Sequence, residues 1–321
     1  MNGLRATILA LAALAAVPAF AQQAYPSRTI AIIAPFSPGT GIDILARTFG
    51  QRLSERWSVP VVVENRPGAS GNIGTELAAR AAGDGYTLMM TATTFALNPA
   101  LSKKARYDPL KSFAPVSLVA TGLLWFAIST NTRADSMSEF VALAKSHPGK
   151  LNYASSGNGT PQHLTMELFK LTAGVDVTHV PYKGAADATK DLAGGYVDSM
   201  ILQVHTIASL VQAGKVRLLA VLNEERSPVF PAVPTFREAG YPGVESSVWY
   251  GLMAPASTPA EILRKLNGEI NAILALPEIK DILTKQGLIP AGGEPERLSK
   301  LVRAELERWT RVIAEAKIRA D

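Results

Sequence analysis

"IIAPFSPGTGID", residues 32–43, runs an apolar strand into a loop with Gly39 and Gly41 and then into a helical pattern. Two further junctions have the same build: "NRPGASGNIG" at 65–74 and "YASSGNGTPQH" at 153–163. Each sets several backbone N–H groups at the positive end of a helix, which suits an anion without any charged side chain. Glycine serves there because a side chain would block close approach of a ligand and resist positive φ.

Outward from these loops, short apolar runs alternate with helical patterns, the signature of α/β layers with largely parallel sheets. Strands are expected at "TIAIIAPF", "VPVVVEN", "YTLMMTAT", "VSLVATGLLWFAIS", "LNYASS", "VTHVPY", "VDSMIL", "VRLLAVL" and "SVWYGLMAP". Helices are expected over Ile42 to Arg56, Ile73 to Ala82, Met137 to Lys145 and Pro161 to Thr172. Farther on, Thr258 reads as an N-cap with Pro259 at the first helical position and Glu261 completing a capping box. A last helix after Pro295 buries one stripe formed by Leu298, Leu301, Val302, Leu306, Trp309 and Ile313. Two extended segments, 114–128 and 241–255, break the rhythm. If both cross between lobes, residues 24–118 plus 252–321 form a discontinuous first lobe, 119–251 an inserted second one, and a ligand cleft lies between them.

The chain has 321 residues, 47% of them hydrophobic, enough for about two domains of roughly 150 residues each. Its start reads as a cleaved secretory signal over 1–21: a positive Arg5, the apolar run "ATILALAALAAV" and the small-residue site Ala19-Phe20-Ala21. Export to a periplasm is the expectation. The absence of cysteine excludes a lipoprotein thiol, a disulfide and any Cys-based centre. A net charge of +5, spread without a basic block or aromatic-interleaved stripe, excludes a nucleic-acid surface and leaves at most attraction of small anions.

Enzyme motifs are missing. The glycines of "GASGNIG" and "GTGIDI" do not make the G-x-G-x-x-G fingerprint, and no phosphate-binding P-loop occurs. "YASSGNG" is not the G-x-S-x-G elbow; a triad would need His163, His179 or His205 delivered to Ser155 or Ser156, and no spacing demands it. No histidine or carboxylate pattern suggests a metal. No cofactor is expected. His163, inside the helix after its loop, suits either a ligand hydrogen bond or a structural role, whereas His179 reads as structural and His147 as solvated.

In its motifs the chain resembles the Bug-type extracytoplasmic solute receptors, the substrate-binding components of tripartite tricarboxylate transporters. The matching stretches include "VVVENRPGASGNIGTELAARAAGDGYTL", "LNYASSGNGTPQHL", "HVPYKGAADATKDLAGGYVD" and "WYGLMAPASTP", in order over almost the whole mature chain. The resemblance implies a two-lobed type II periplasmic-binding-protein fold of α/β class, each lobe a mostly parallel sheet flanked by helices. It further implies a monomer that captures a small carboxylate, with the permease subunits of such a transporter as partners, and no catalysis. The same fold also serves ligand sensors, and a periplasmic α/β hydrolase is the remote alternative.

The positions matching the family's ligand loops are Phe36, Ser37, Gly39, Thr40, Asp43, Thr93 and Thr94 in the first lobe. Ser155, Ser156, Gly157, Gly159, Thr160 and His163 come from the second. Asp43 reads first as a helix cap, Thr93 and Thr94 equally as loop residues, and Arg66 with Pro67 as architecture. Two departures bear on the ligand. The first loop reads Ser37-Pro38-Gly39-Thr40-Gly41, and Leu202 and Gln203 follow "VDSMI" where relatives often carry an acidic or amide pair. An ammonium group would want a carboxylate there. The expected ligand is therefore an amine-free aliphatic or aromatic carboxylate, with Gln203 as a distal contact.

Overall fold

The computed structural model describes residues 25–102, 105–182, 184–203 and 207–318. The expected signal segment and His205 lie outside the described residues. Strand β1 (Ile30–Ala34) is almost wholly buried, as its unbroken apolar run "IAIIA" demands of an inner parallel strand. Parallel to it on either side run β2 (Val61–Asn65) and β3 (Thr87–Ala92). Helix α1 (Gly41–Trp57) buries Ile42, Leu45, Ala46, Phe49 and Leu53 against them, and Ser58 ends it in the left-handed conformation. A 3-10 turn (Ala69–Gly71) leads into α2 (Asn72–Ala79), and α3 (Thr94–Leu101) follows β3.

Strand β4 (Phe113–Ser129) joins the two halves. Up to Leu123 it pairs antiparallel with β9 (Ser247–Pro255), and from Leu124 onward with β7 (Ser199–Gln203) and β8 (Val216–Val221). The second half adds α4 (Met137–Ser146), β5 (Asn152–Ser155), α5 (Pro161–Ala173), β6 (Thr178–Pro181), α6 (Ala185–Gly194) and α7 (Ala208–Gln212). Its core centres on Phe126, whose ring lies 5.0 Å from Phe140, 5.4 Å from Phe169 and 6.0 Å from Phe236. The chain closes with α8 (Ala260–Ala275), α9 (Pro277–Lys285), β10 (Leu288–Pro290) and α10 (Pro295–Glu315). The result is a two-lobed α/β protein, and none of the described helices is long and apolar enough to cross a membrane.

Four details differ from the sequence reading. The sheets are mixed rather than mostly parallel, because β4 and β9 run antiparallel to their neighbours. The late segment does not cross as a strand: Ser246 still bonds Leu222 of the second half, while β9 from Ser247 pairs only in the first. Thr258 does not cap α8; its hydroxyl and its N–H both close a turn on the Pro255 carbonyl, which leaves Pro259 at the N-cap position. The last helix serves two cores. Leu298 and Val302 pack into the first lobe, whereas Trp309, Val312 and Ile313 form a separate cluster with Leu97 of α3 and Leu164 of α5.

Candidate functional site

Helices α2 and α3 of the first half and α5 of the second all begin at one cavity. Its volume is about 760 Å³, within the range of small-molecule clefts, and its wall includes Asn72, the first residue of α2, Thr94, the first of α3, and Thr160, the N-cap of α5. A smaller space of about 180 Å³ adjoins it across Phe36 and Thr94 and ends at Gln203, Val248 and Tyr250. None of the described residues lining either space is charged. Positive potential there comes from the helix starts, each equivalent to roughly half a unit charge.

The first-lobe wall is built by Asn98. Its side-chain amide donates to the Ser70 carbonyl at 2.8 Å and to Asn72 Oδ1 at 2.9 Å, which leaves the Asn72 amide N–H groups as donors at the cavity. Ala69 and Ser70 both hold left-handed φ, 48° and 55°, a strain of about 1–3 kcal/mol for a non-glycine residue. The turn thus presents Ser70 to the cavity in a conformation the chain would not adopt alone. Arg66 pairs with Glu64 at 2.8 Å.

The second-lobe wall is the loop from Ser156 to Thr160. Gly157 and Gly159 have φ of 133° and 72°. Thr160 caps α5 by accepting from His163 N–H while its hydroxyl donates to the Gly157 carbonyl at 2.8 Å. Leu101 of α3 packs against Gly159 so closely that a Cβ there would lie 2.5 Å from its methyl.

Of the residues the sequence nominated, Phe36, Thr40, Thr93, Thr94, Ser156, Gly157, Gly159, Thr160 and Gln203 line one or both spaces. Five do not. Ser37 is exposed and uses its carbonyl to close the loop on Thr40. The Gly39 N–H is spent on Asp43 Oδ2 at 2.9 Å. Asp43 is buried, and its other oxygen takes Asn65 at 2.9 Å and Arg47 at 3.0 Å. Burial alone would raise that carboxyl, but the bonds from Gly39, Arg47 and Asn65 outweigh it and hold it below its ordinary value. Ser155 is buried with its hydroxyl on His179 and Gly157, and His163 is buried with its Nδ1 accepting from Gly159 N–H at 2.9 Å. All five shape loops rather than walls.

The sequence reading missed Ser70, Asn72, Asn98, Asn158, Tyr182 and Tyr250. For the first two the signal was present: "GASGNIG" was picked out as a helix-start loop, but only its neighbours Arg66 and Pro67 were given roles. Asn98 stood out as a lone amide in the apolar run "TFALNPAL". Tyr250 had no signal; it reaches the cavity because β9 pairs with β3 and β4 together, and its hydroxyl meets the Gln203 side chain from the other half.

Burial, reinforced by His179 and Lys170, pushes His163 down to about 3, and burial likewise lowers His179. Both therefore bind fewer protons in the folded chain than in the unfolded one. Their contribution is complete above the unfolded value near 6.5 and is lost as pH falls below it. Expected is a fall in the urea midpoint between pH 7 and pH 4.5, on the order of 2 kcal/mol for His163. The fall should shrink in His163→Asn; an unchanged pH slope in that variant refutes the assignment.

A groove of equal volume, about 760 Å³, lies between α6 and α7, but all its lining residues, from Ala185 to Lys215, come from the second half. It cannot gather donors from both sides.

Comparison with known proteins agrees with this geometry. The family model for the tripartite tricarboxylate transporter family receptor matches residues 45–318. BugT of Bordetella pertussis is 36% identical over 293 residues, 91% of this chain and 90% of BugT. Among solved structures, Rpa4515 of R. palustris with adipate is 35% identical with a TM-score of 0.79, over 92% of this chain and 99% of that one. MatC of Rhodopseudomonas palustris with bound malate is 33% identical with a TM-score of 0.76, over 90% and 100%. With matches of this extent, the chain belongs to the tripartite tricarboxylate transporter family of receptors, the Bug-type solute receptors, which bind their solutes rather than transform them.

Proposed function

We propose that this chain is a periplasmic receptor that closes its two lobes on a small, amine-free carboxylate and hands it to the membrane permease of a tripartite tricarboxylate transporter. The observation that carries this reading is the convergence of three helix starts, from both halves, on one uncharged cavity. Neutral donors and helix dipoles suit a carboxylate. The absence of Asp or Glu among the described lining residues leaves an ammonium group without a partner. Adipate and malate, named with the two structural relatives, are both amine-free dicarboxylates. The secretory reading of the first 21 residues supports the compartment, and a monomer suffices because both walls come from one chain.

The lobe limits belong to the same proposal. The change of strand partners on β4 supports a first lobe of residues 25–123 plus 247–318 and a second of 124–246, in place of limits at 118 and 251. Closure gives a signal only if the ligand binds the closed form better than the open one, and a ligand touching both walls does that. The closed shape is then what the permease reads.

A thermal-shift screen of the mature protein against mono-, di- and tricarboxylates, aromatic acids and amino acids tests this. A ligand at about 100 times its Kd adds roughly 2.7 kcal/mol to the folded state. The expected result is a raised midpoint with one class of amine-free acid, reduced in Ser156→Ala. Saturable preference for glutamate or aspartate overturns the amine-free assignment, and silence with every acid overturns the carboxylate reading.

A further inference from the structure

The loop from Ser155 to Thr160 rests on a column of three rings. Tyr153 of β5 stacks on His179 of β6 with centroids 4.7 Å apart, and His179 stacks on His163 of α5 at 4.0 Å and 12°. Each histidine holds a different point of the loop. His163 Nδ1 accepts from Gly159 N–H at 2.9 Å, and His179 Nε2 lies 2.7 Å from Ser155 Oγ, which itself accepts from Gly157 N–H at 3.2 Å. The loop glycines have left-handed φ, so no side chain of their own fixes them.

We propose that His163 and His179 are positioning residues of the ligand site: as a stacked pair they hold Gly157 and Gly159 so that the Ser156–Thr160 loop forms the second-lobe wall of the cavity. This rests on the carboxylate-capture reading for its consequence, but not for its geometry.

The proton inventory follows from the contacts. An Nδ1 that accepts from Gly159 carries no proton, so His163 is the Nε2–H tautomer. A proton on Nδ1 would set two donors against each other at 2.9 Å. The groups facing the column are Glu167 and Lys170 of α5 and the Tyr153 hydroxyl. Tyr153 and Lys170 both donate to Glu167 Oε1, at 2.5 and 2.8 Å, which satisfies the carboxylate away from the imidazoles. Burial is the larger effect on His179 and outweighs the pull of Glu167, which Lys170 also opposes.

Two pairs of variants read this out. His163→Phe keeps the stack and removes the acceptor, while His163→Asn places Oδ1 where Nδ1 was. His179→Phe and His179→Gln do the same for the Ser155 contact. The measurements are amide hydrogen exchange at Gly157 and Gly159, and titration with adipate and with malate. Expected for His163→Phe is at least about a tenfold loss of protection at Gly159, and an equal loss of affinity for whichever acid binds the wild type; His163→Asn recovers both to within about threefold. For His179 the expected loss is at Gly157, with recovery in the Gln variant. Wild-type protection in the Phe variants, or Asn and Gln variants no better than Phe, overturns the proposal. Should His163→Phe not fold, the ring nitrogen shifts of the wild type decide: a protonated Nδ1 on His163 refutes it. If neither acid binds wild type, the carboxylate reading loses support, and Gly159 exchange still judges the histidines.

Discussion

Gly159→Val is expected to weaken carboxylate binding about 100-fold or more while the chain stays folded. Two causes add. A β-branched residue at the φ of 72° carries strain of about 1–3 kcal/mol, and its Cβ would stand 2.5 Å from a Leu101 methyl across the cavity edge. The loop can relieve both only by moving, which takes the Ser156–Thr160 wall from the helix starts of the first lobe. The two causes separate experimentally. Adding Leu101→Ala removes the contact but not the backbone strain, so the double variant should regain part of the affinity and not all of it. Calorimetric titration with the acid found in the screen measures this. Affinity within about threefold of wild type in the single variant would mean that the loop is not part of the site.

The second large effect falls on stability. Trp309 is fully buried and lies among Leu97 of α3, Leu164 of α5 and Val312 and Ile313 of its own helix, with Nε1 donating to Glu305 at 2.7 Å. Replacing it with alanine opens a cavity where elements of both halves meet and should cost about 3–5 kcal/mol. It also removes the bond to a carboxyl whose value burial already raises above the ordinary range. Urea denaturation, followed separately by a probe in each lobe, is the measurement. Both midpoints should fall together in Trp309→Ala and recover in large part in Trp309→Phe. A loss below about 1 kcal/mol, or one confined to a single lobe, contradicts a shared cluster.

Much of the fold was written in local pattern. All nine strands expected from apolar runs are present, and the four helices named on periodicity lie within a few residues of their limits. Two of the elements that escaped were short or uniformly apolar. The "LIP" of β10 carries no period, and α3, buried on most sides, has no polar face to mark it as a helix. The capping box at Thr258 failed for a different reason. The motif was right, but the Pro255 carbonyl offered the threonine a nearer partner.

The site divides in the same way. Glycine-rich helix starts could be read as donors of N–H groups, since that follows from backbone geometry alone. Which donors remain for a ligand could not. Gly39 and Asp43 satisfy each other, and Ser155 and His163 are absorbed by His179 and Gly159, because folding supplied partners that lie up to 24 residues away in sequence. Conversely, Asn98 gains its role only when α3 lies beside the 3-10 turn, and Tyr250 only when β9 brings it to Gln203.

By itself, then, the sequence determined the α/β class and the glycine-rich loops that lead into helix N-termini, both properties of neighbours along the chain. Only the tertiary structure decided that two of those helix starts, those of α2 and α5, face one cavity together with the start of α3, and which of their hydrogen-bonding groups are already satisfied. Each backbone group bonds to whatever stands nearest after folding, and that is set by the pairing of β4 and β9 rather than by any local run of residues.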